Sequence, residues 1–314
     1  WRMDVGRHAR AHLEAPGWTL PGPEDFPTGN ELVERCLEPL AALPELKGRI
    51  HTFTQVVAAG RHGLRRGEGE PGERRAHPFR LLLRDPGGRE SLAHAAALVD
   101  LTGIYARPDW AGSGGIPARD EDTLRPEFAY HLEDVLGADR ERYAGKRTVL
   151  VGEGTFAATT LAALARLADE APGTSVAWLT RAAAGDIFPE AEHDPLPARR
   201  ELRLRARALA AGAHAAVTHV GGAEVEAFDA DPDAGRYRVR FEVAGEPRLE
   251  EADRVVVHVG FGPDDRLRRE LDDDEPRPVG LGYERHGPEP RVLPETGFRR
   301  VADAMARLAG ELAG

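Results

Sequence analysis

The sequence predicts an α/β fold built on a parallel sheet, and two neighbouring stretches carry that prediction. Residues 149–167, VLVGEGTFAATTLAALARL, run from an apolar strand through Gly152 and Gly154 into an alanine-rich segment without proline. This pattern is typical of a strand, a tight turn and a helix. The apolar stretch SVAWL at 175–179 follows, so the elements form a crossover that places two parallel strands side by side.

The composition indicates a globular protein and excludes several classes of function. The 314 residues are 41% apolar and 30% charged, which suffices for two domains with separate cores. The net charge of −11 argues against a general nucleic-acid binder. No run reaches the roughly 20 apolar residues of a membrane helix, and the N-terminal WRMDVGRHAR lacks the apolar core of a secretory signal. We therefore expect a cytoplasmic protein that binds neither nucleic acid nor membrane.

Cysteine and histidine usage argues against thiol and metal chemistry. Cys36 is the only cysteine, so the chain forms no internal disulfide and has no Cys-x-x-Cys pair. From His51 onward no two histidines have His-x-x-x-His spacing, and we predict no metal site. The first residue is Trp1 rather than methionine, so we expect the chain to be a piece of a longer protein.

The first third of the chain predicts one helix and several strands. Apolar residues recur at helical spacing over 31–46, and Asn30 is the expected N-cap. Short apolar stretches separated by Gly/Arg-rich loops predict strands at 50–58, 79–84 and 96–103. Residues 104–146 are rich in glycine, proline and charge, which predicts a connector.

Beyond this connector the pattern predicts alternating strands and helices. Helices are expected at 155–170 and at 197–211, where Gly212 ends the second one. Strands are expected at 147–151, 175–179, 215–220, 223–230, 236–244 and 253–260. Apolar residues at helical spacing from Phe298 to Leu312 predict a closing amphipathic helix.

The turn before helix 155–170 fits the pattern Gly-x-Gly-x-x-Gly/Ala of dinucleotide-binding proteins. Gly152 allows a sharp turn, Gly154 leaves room for a pyrophosphate against the backbone, and Ala157 lets the helix approach the sheet. The helix N-terminus adds free N–H groups and a positive dipole. A glycine-rich turn alone is a weak signal, but here a strand precedes it and a helix and second strand follow. The predicted binding residues are Gly152, Glu153, Gly154, Thr155, Phe156 and Ala157.

The end of the second strand indicates which dinucleotide is bound. NAD binders usually carry an acidic residue there for the ribose 2′-hydroxyl, whereas this strand ends in Thr180 and Arg181. Thr180 can hydrogen-bond a 2′-phosphate and Arg181 can pair with it. The sequence therefore favours NADP(H). The alternative, that Arg181 is an ordinary solvated arginine of an arginine-rich chain, stays open.

A resemblance to a known family rests on three stretches. These are VDLTGIYARPDW (99–110), DVLGADRERYAGKRTVLVGEGTFAA (134–158) and DRVVVHVGFGPD (253–264). Together they resemble the two-dinucleotide-domain flavoprotein oxidoreductases, which include flavin-containing monooxygenases and thioredoxin-reductase-like enzymes. The resemblance implies a Rossmann-like NAD(P)-binding domain with a parallel sheet, inserted in a truncated FAD-binding-type α/β domain. It implies an NADP(H)-binding domain at 119–263 and a partial FAD-binding-type domain at 1–118 and 264–314.

The same resemblance implies contacts with FAD. It places Thr102 and Gly103 beside the flavin cofactor, the backbone near Val56 against the adenine, and Gly260 at a second glycine–proline strand end. It also leaves Thr296–Gly297 as a flavin-facing turn. Nothing in the sequence matches the family's N-terminal glycine motif, which cradles the FAD pyrophosphate. FAD binding is therefore expected of the longer parent protein and is doubtful for this chain by itself.

The function implied is hydride transfer from NADPH to FAD, with oxygenation of a small-molecule substrate as one branch. No catalytic side chain is assigned, because the cofactors carry the chemistry. The alternative is a truncated nucleotide-binding module that binds NADP(H) without turnover. A single-domain NADP dehydrogenase fits less well, because no Tyr-x-x-x-Lys pair follows the fold. The substrate and homo-oligomerisation stay open.

Overall fold

The structure is a computed structural model that describes residues 28–189, 191–194, 197–231, 235–264, 266–267, 271 and 301–310. The chain forms two compact units. Unit 1 contains Trp1–Ala106 and Pro263–Gly314, and unit 2 contains Arg107–Gly262. Residues 1–27 and the predicted turn at Thr296–Gly297 lie outside the described residues.

Unit 1 contains a three-stranded antiparallel sheet in the order β1-β2-β3. Its strands are β1 (Gln55–Arg61), β2 (Phe79–Arg84) and β3 (Glu90–Ala95). Phe79 is buried with Ala59 and Leu271, and the Arg61 guanidinium lies 3.8 Å from the centre of the Phe79 ring. The strand predicted at 79–84 is confirmed.

The first helix, α1, contains α-helical Gly29–Leu32, a π-helical turn at Val33–Leu37 and α-helical Glu38–Ala41. The sequence predicted Asn30 as the N-cap of this helix, but the residue that caps it is Thr28. The Thr28 hydroxyl accepts from the Glu31 amide, and the Glu31 carboxylate accepts from the Thr28 amide, which forms a capping box. A second short helix, α2, spans Pro71–Arg75, and residues 301–310 are also helical.

Two strand predictions in unit 1 are wrong in position. Residues 96–103 form no strand, and Asp100 there accepts hydrogen bonds from the amide and hydroxyl of Thr102. This local turn satisfies backbone groups that a strand would pair with a neighbour. The strand expected at 50–58 begins only at Gln55, because Phe53 has a φ of 55°, outside the range of extended chain.

Unit 2 is built on a four-stranded parallel sheet in the order β10-β4-β5-β6. The strands are β4 (Arg147–Val151), β5 (Ser175–Leu179), β6 (Val217–Val220) and β10 (Arg254–Val257). Its main helices are α4 (Thr155–Glu170) and α5 (Pro197–Ala210), and a short helix α3 spans Glu121–Leu124. Short 3-10 turns occur at Ser113–Gly115, Arg125–Glu127, Arg140–Arg142, Ala184–Asp186 and Ala191–His193.

Alternation of side chains gives this sheet two buried faces. Leu150 and Trp178 point to the helix side and pack with Leu161 of α4 in one core cluster. Val149 and Leu179 belong to a second cluster on the opposite face. Because the strands are covered on both faces, their sequences read as continuous apolar runs, which is why the predicted bounds of β4, α4 and β5 are confirmed.

The second face is covered by an antiparallel meander in the order β7-β8-β9. Its strands are β7 (Ala223–Asp231), β8 (Arg236–Val243) and β9 (Glu246–Ala252). Phe228 and Phe241 pack from the meander against the sheet. The sequence predicted β7 and β8 but missed β9, which is mostly exposed and therefore has no apolar pattern.

The incoming and outgoing segments of unit 2 pair with each other. The Gly262 amide donates to the Arg107 carbonyl at 2.9 Å, and the Asp109 amide donates to the Gly260 carbonyl at 3.0 Å. The incoming segment is also held by the fully buried carboxylate of Glu121, which accepts hydrogen bonds from the amides of Ala111 and Ala118. It also accepts from the Tyr130 hydroxyl at 2.9 Å.

Candidate dinucleotide-binding site

The glycine turn lies at the carboxyl edge of the parallel sheet, directly after β4. Gly152 has a φ of 127°, and a Cβ there would lie 2.1 Å from the carbonyl oxygen of His258. Its carbonyl accepts a hydrogen bond of 2.7 Å from the indole N–H of fully buried Trp178. Its amide donates to the Leu179 carbonyl at 3.0 Å. Gly152 is thus required by its neighbours in the fold, and the turn is firmly held.

Gly154 occupies the N-cap position of α4, and its surroundings are different. A Cβ at Gly154 would meet no heavy atom within 4 Å, so the space in front of the helix is open. The first intrahelical hydrogen bond runs from the Ala158 amide to the Gly154 carbonyl at 3.0 Å. Ala157 is fully buried against the sheet, which brings this helix end close to β4. Bare backbone and the positive end of the helix dipole together suit a pyrophosphate.

Glu153 joins the turn to the end of β5. One carboxylate oxygen, Oε2, accepts from the Ala182 amide at 2.8 Å. The other, Oε1, lies 3.4 Å from Nη2 of Arg181, whose side chain is 82% exposed. The sequence named Glu153 among the binding residues of the turn, but nothing in the pattern indicated its link to Arg181.

Thr180 does not have the environment that the sequence suggested. The residue is buried, and its hydroxyl donates to the Ala182 carbonyl at 2.7 Å. The same oxygen lies 2.8 Å from Nε2 of His219, from which it accepts. The hydroxyl is thus engaged inside the protein, and the predicted pairing with a 2′-phosphate rests on Arg181 alone.

Aromatic rings line the turn on the β10 side. The Phe156 ring packs edge-on against the rings of His258, at 5.8 Å between centres, and Phe261, at 5.4 Å. Phe261 in turn packs against His131. Burial is the main cause that lowers the pKa of His258, so its imidazole is neutral near pH 7. Sequence reasoning did not find Phe261, because one aromatic after a strand has no distinguishing pattern.

Gly260, predicted as a cofactor residue, has a local reason to be glycine. Its φ is 115°, and a Cβ there would lie 3.2 Å from a carboxylate oxygen of Asp109. The pairing of the outgoing and incoming segments therefore demands a residue without a side chain. Its contact with a cofactor stays a prediction.

Three of the predicted FAD residues, Val56, Thr102 and Gly103, lie in unit 1, whereas Gly260 lies in unit 2. Val56 is at a bulge of β1, where the register to β2 shifts between Val56 and Ala58. Thr102 is held by Asp100, with the two side-chain oxygens 2.6 Å apart, and Gly103 follows with a φ of 70°. Their contacts with FAD stay predictions.

The described residues contain neither a cluster suited to a metal ion nor a membrane-spanning helix. Within the parts of the chain that the structure describes, no three histidine, cysteine or acidic side chains are grouped as a metal site would require. No helix in those same parts has the length and apolar character needed to cross a membrane.

Comparisons with known proteins find likeness in structure and none in sequence. No protein-family model matches the chain, and no curated protein matches it. Bacillithiol disulfide reductase Bdr from Bacillus cereus matches with a TM-score of 0.57 and 16% identity, over 86% of this chain and 68% of its own. Ornithine hydroxylase PvdA from Pseudomonas aeruginosa matches with a TM-score of 0.59 and 15% identity, over 90% of this chain and 77% of its own.

A third structure has FAD bound. It is DfoA from Erwinia amylovora, the cadaverine monooxygenase of desferrioxamine biosynthesis, with a TM-score of 0.50 and 18% identity, over 76% of this chain and 58% of its own. At identities of 15–18%, these likenesses establish the fold and leave function to be argued from the site. The chain therefore has a mixed α/β, Rossmann-type fold with a parallel four-stranded sheet, like that of these reductase and monooxygenase structures.

Proposed function

We propose that the protein is an NADPH-dependent flavoprotein oxidoreductase that transfers hydride from NADPH to FAD. One observation carries the proposal: the turn from Gly152 to Ala157 lies at the carboxyl edge of a parallel sheet, with open space over Gly154. In open α/β sheets, ligands bind at this edge. The proposed NADP(H)-binding domain is 119–263, and the proposed partial FAD-binding-type domain is 1–118 with 264–314.

The residues present fit the diphosphate of NADP(H). Gly154 offers bare backbone beside open space, and no side chain caps the amide groups at the start of α4. Trp178 fixes the turn through the Gly152 carbonyl, so the site is formed before a ligand arrives. Arg181 would pair with the 2′-phosphate, because its guanidinium is exposed at the end of β5.

FAD enters the proposal through the resemblance and the fold, with Val56, Thr102, Gly103 and Gly260 as its proposed contacts. When bound, this cofactor accepts a hydride and passes electrons on to oxygen or another acceptor. Residues 28–106 contain an antiparallel sheet and no strand–glycine–helix turn. The described part of unit 1 therefore offers no cradle for the FAD diphosphate.

The same observation favours a second candidate, a nucleotide-binding module that holds NADP(H) without turnover. It accounts for the well-formed turn in unit 2 and needs nothing from unit 1. A small-molecule second substrate belongs only to the first candidate.

A spectrum and a titration separate the two. We expect the purified protein, incubated with FAD and freed of excess, to absorb near ~450 nm and to bleach when NADPH is added without oxygen. A colourless protein that still binds NADPH would establish the module. Arg181→Ala should lower the NADPH-to-NADH affinity ratio about tenfold, whereas Arg166→Ala, an exposed arginine of α4, should not. An unchanged ratio in Arg181→Ala would reject the phosphate contact.

A further inference from the structure

The side chain of Glu153 lies where the adenosine ribose of a dinucleotide is normally recognised. In NAD-binding folds, an acidic residue at the end of the second strand accepts the ribose 2′-hydroxyl. Here that strand, β5, ends in Thr180 and Arg181, but the Glu153 carboxylate reaches the same strand end from the glycine turn. An acidic group is therefore present at this place although the sequence at the strand end lacks one.

Glu153 is fixed there by its contacts. Its Oε2 accepts from the Ala182 amide at 2.8 Å, and its side chain retains 32% exposure, so the carboxylate is held but remains open to solvent. A hydrogen bond from a backbone amide to an ionised carboxylate is among the stronger kinds. The carboxylate cannot swing away from the strand end without leaving that amide unpaired.

The same carboxylate faces the cation that would recognise a 2′-phosphate. Oε1 of Glu153 and Nη2 of Arg181 are 3.4 Å apart. A phosphate that pairs with Arg181 therefore also approaches a fixed negative charge, whereas a ribose hydroxyl can donate to it. At such distances like charges repel appreciably even near water.

We infer that Glu153 is the residue that sets cofactor selectivity at this site, opposing the 2′-phosphate of NADPH and accepting the 2′-hydroxyl of NADH. Glu153 therefore weakens the preference for NADPH that Arg181 alone would give. The inference rests on the proposed function, since it concerns the same dinucleotide site.

The test measures dissociation constants for NADPH and NADH by calorimetry on the full chain. Glu153→Gln is the informative variant, because the Gln carbonyl still accepts from the Ala182 amide while the charge is gone. We expect its NADPH-to-NADH affinity ratio to rise roughly three- to tenfold. Glu170→Gln removes one carboxylate from the far end of α4 and should leave the ratio unchanged.

Three other outcomes would overturn the inference, and one of them would overturn the proposed function as well. If Glu153→Gln changes both affinities equally, Glu153 only supports the turn and the inference is overturned, while the proposed function stands. A wild-type preference for NADPH above about a hundredfold would also overturn it, and this needs no variant. If the wild-type chain binds neither dinucleotide, both the proposed function and the inference are wrong.

Discussion

Gly152 and Gly154 are two residues apart, but the fold requires glycine only at the first of them. A Cβ at Gly152 would collide with the His258 carbonyl, whereas a Cβ at Gly154 would meet nothing within 4 Å. The sequence pattern treats both as parts of one fingerprint. The structure separates the two, because the first glycine is needed by the fold, whereas the second has open space beside it and its contact with a ligand stays a prediction.

Gly154→Val should abolish NADPH binding and leave the fold intact. A Cβ at this position meets no heavy atom within 4 Å, and the valine side chain would occupy the place proposed for the diphosphate. We expect at least a tenfold loss of affinity in calorimetry, with an unchanged melting temperature. Retained affinity in a folded variant would show that the turn is not the binding site.

Gly152→Ala should have the opposite effect and destabilise the protein. The new Cβ would lie 2.1 Å from a backbone oxygen, at a φ of 127° that alanine rarely adopts. We expect a loss of about 2–4 kcal/mol in the free energy of unfolding, measured with urea. Gly154→Ala is the matched control and should change stability little. A stable Gly152→Ala protein would contradict the backbone contact.

Two histidines, the buried His258 and the half-buried His219, should make stability depend on pH. Burial lowers the pKa of both His219 and His258 below the ordinary value near 6.5. As pH falls through and below about 6.5, the unfolded chain takes up protons before the folded one, so stability is lost. The stability from the neutral imidazoles is fully present above that pH. We expect a slope of up to about 1.4 kcal/mol per pH unit for each group.

The matching measurement is urea unfolding between pH 7.5 and 5.5. His258→Gln and His219→Gln should each flatten the dependence, whereas His51→Gln, which changes an exposed residue, should not. A wild-type protein with constant stability across this range would contradict the lowered pKa values.

At the scale of elements, the sequence predicted the strands of the parallel sheet that are buried on both faces, and it missed the mostly exposed strand β9. The bounds of β4, α4 and β5 agree with the prediction because continuous apolar runs between a glycine turn and a helix admit few alternatives. The polar strand β9 forms because Ala244 and Gly245, both with positive φ, turn the chain back along β8. Hairpin geometry, and no hydrophobic pattern, therefore sets that strand.

The predicted site shows the same division. The pattern predicted the glycine turn, which the structure contains, and a phosphate contact for Arg181, which stays a prediction. It did not predict the contacts of Trp178 and Glu153, since these depend on which strand ends meet. Nor could it foresee the contacts of the Thr180 hydroxyl with Ala182 and His219, because sequence position gives no information on the direction of a hydroxyl.

At the scale of the whole molecule, unit 2 has its own core. Both of its hydrophobic clusters draw only on residues between Arg107 and Gly262. Residues 107–262 produced alone should therefore unfold cooperatively and bind NADPH as tightly as the full chain. Heat or urea unfolding with calorimetry measures both, and an aggregated or ligand-free fragment would contradict the assignment.

A shorter piece, 119–263, tests the boundary suggested by the sequence. It lacks Ala111 and Ala118, whose amides donate to buried Glu121. We expect it to be less stable than 107–262 by about 2–4 kcal/mol, because a buried carboxylate would lose two donors. Equal stability of the two fragments would show that the incoming segment contributes nothing.

The pairing of Gly262 with Arg107 has a consequence for how such a protein can be assembled during evolution. The two ends of unit 2 are hydrogen-bonded to each other, so the whole unit can be inserted at a tight loop of another domain without distorting that loop. The length of the inserted unit then hardly affects the loop-closure entropy of the domain that receives it. The same proximity allows a circular permutant of unit 2, with Arg107 and Gly262 joined by a short glycine linker. A unit with such ends can be gained, lost or exchanged between genes as a single piece.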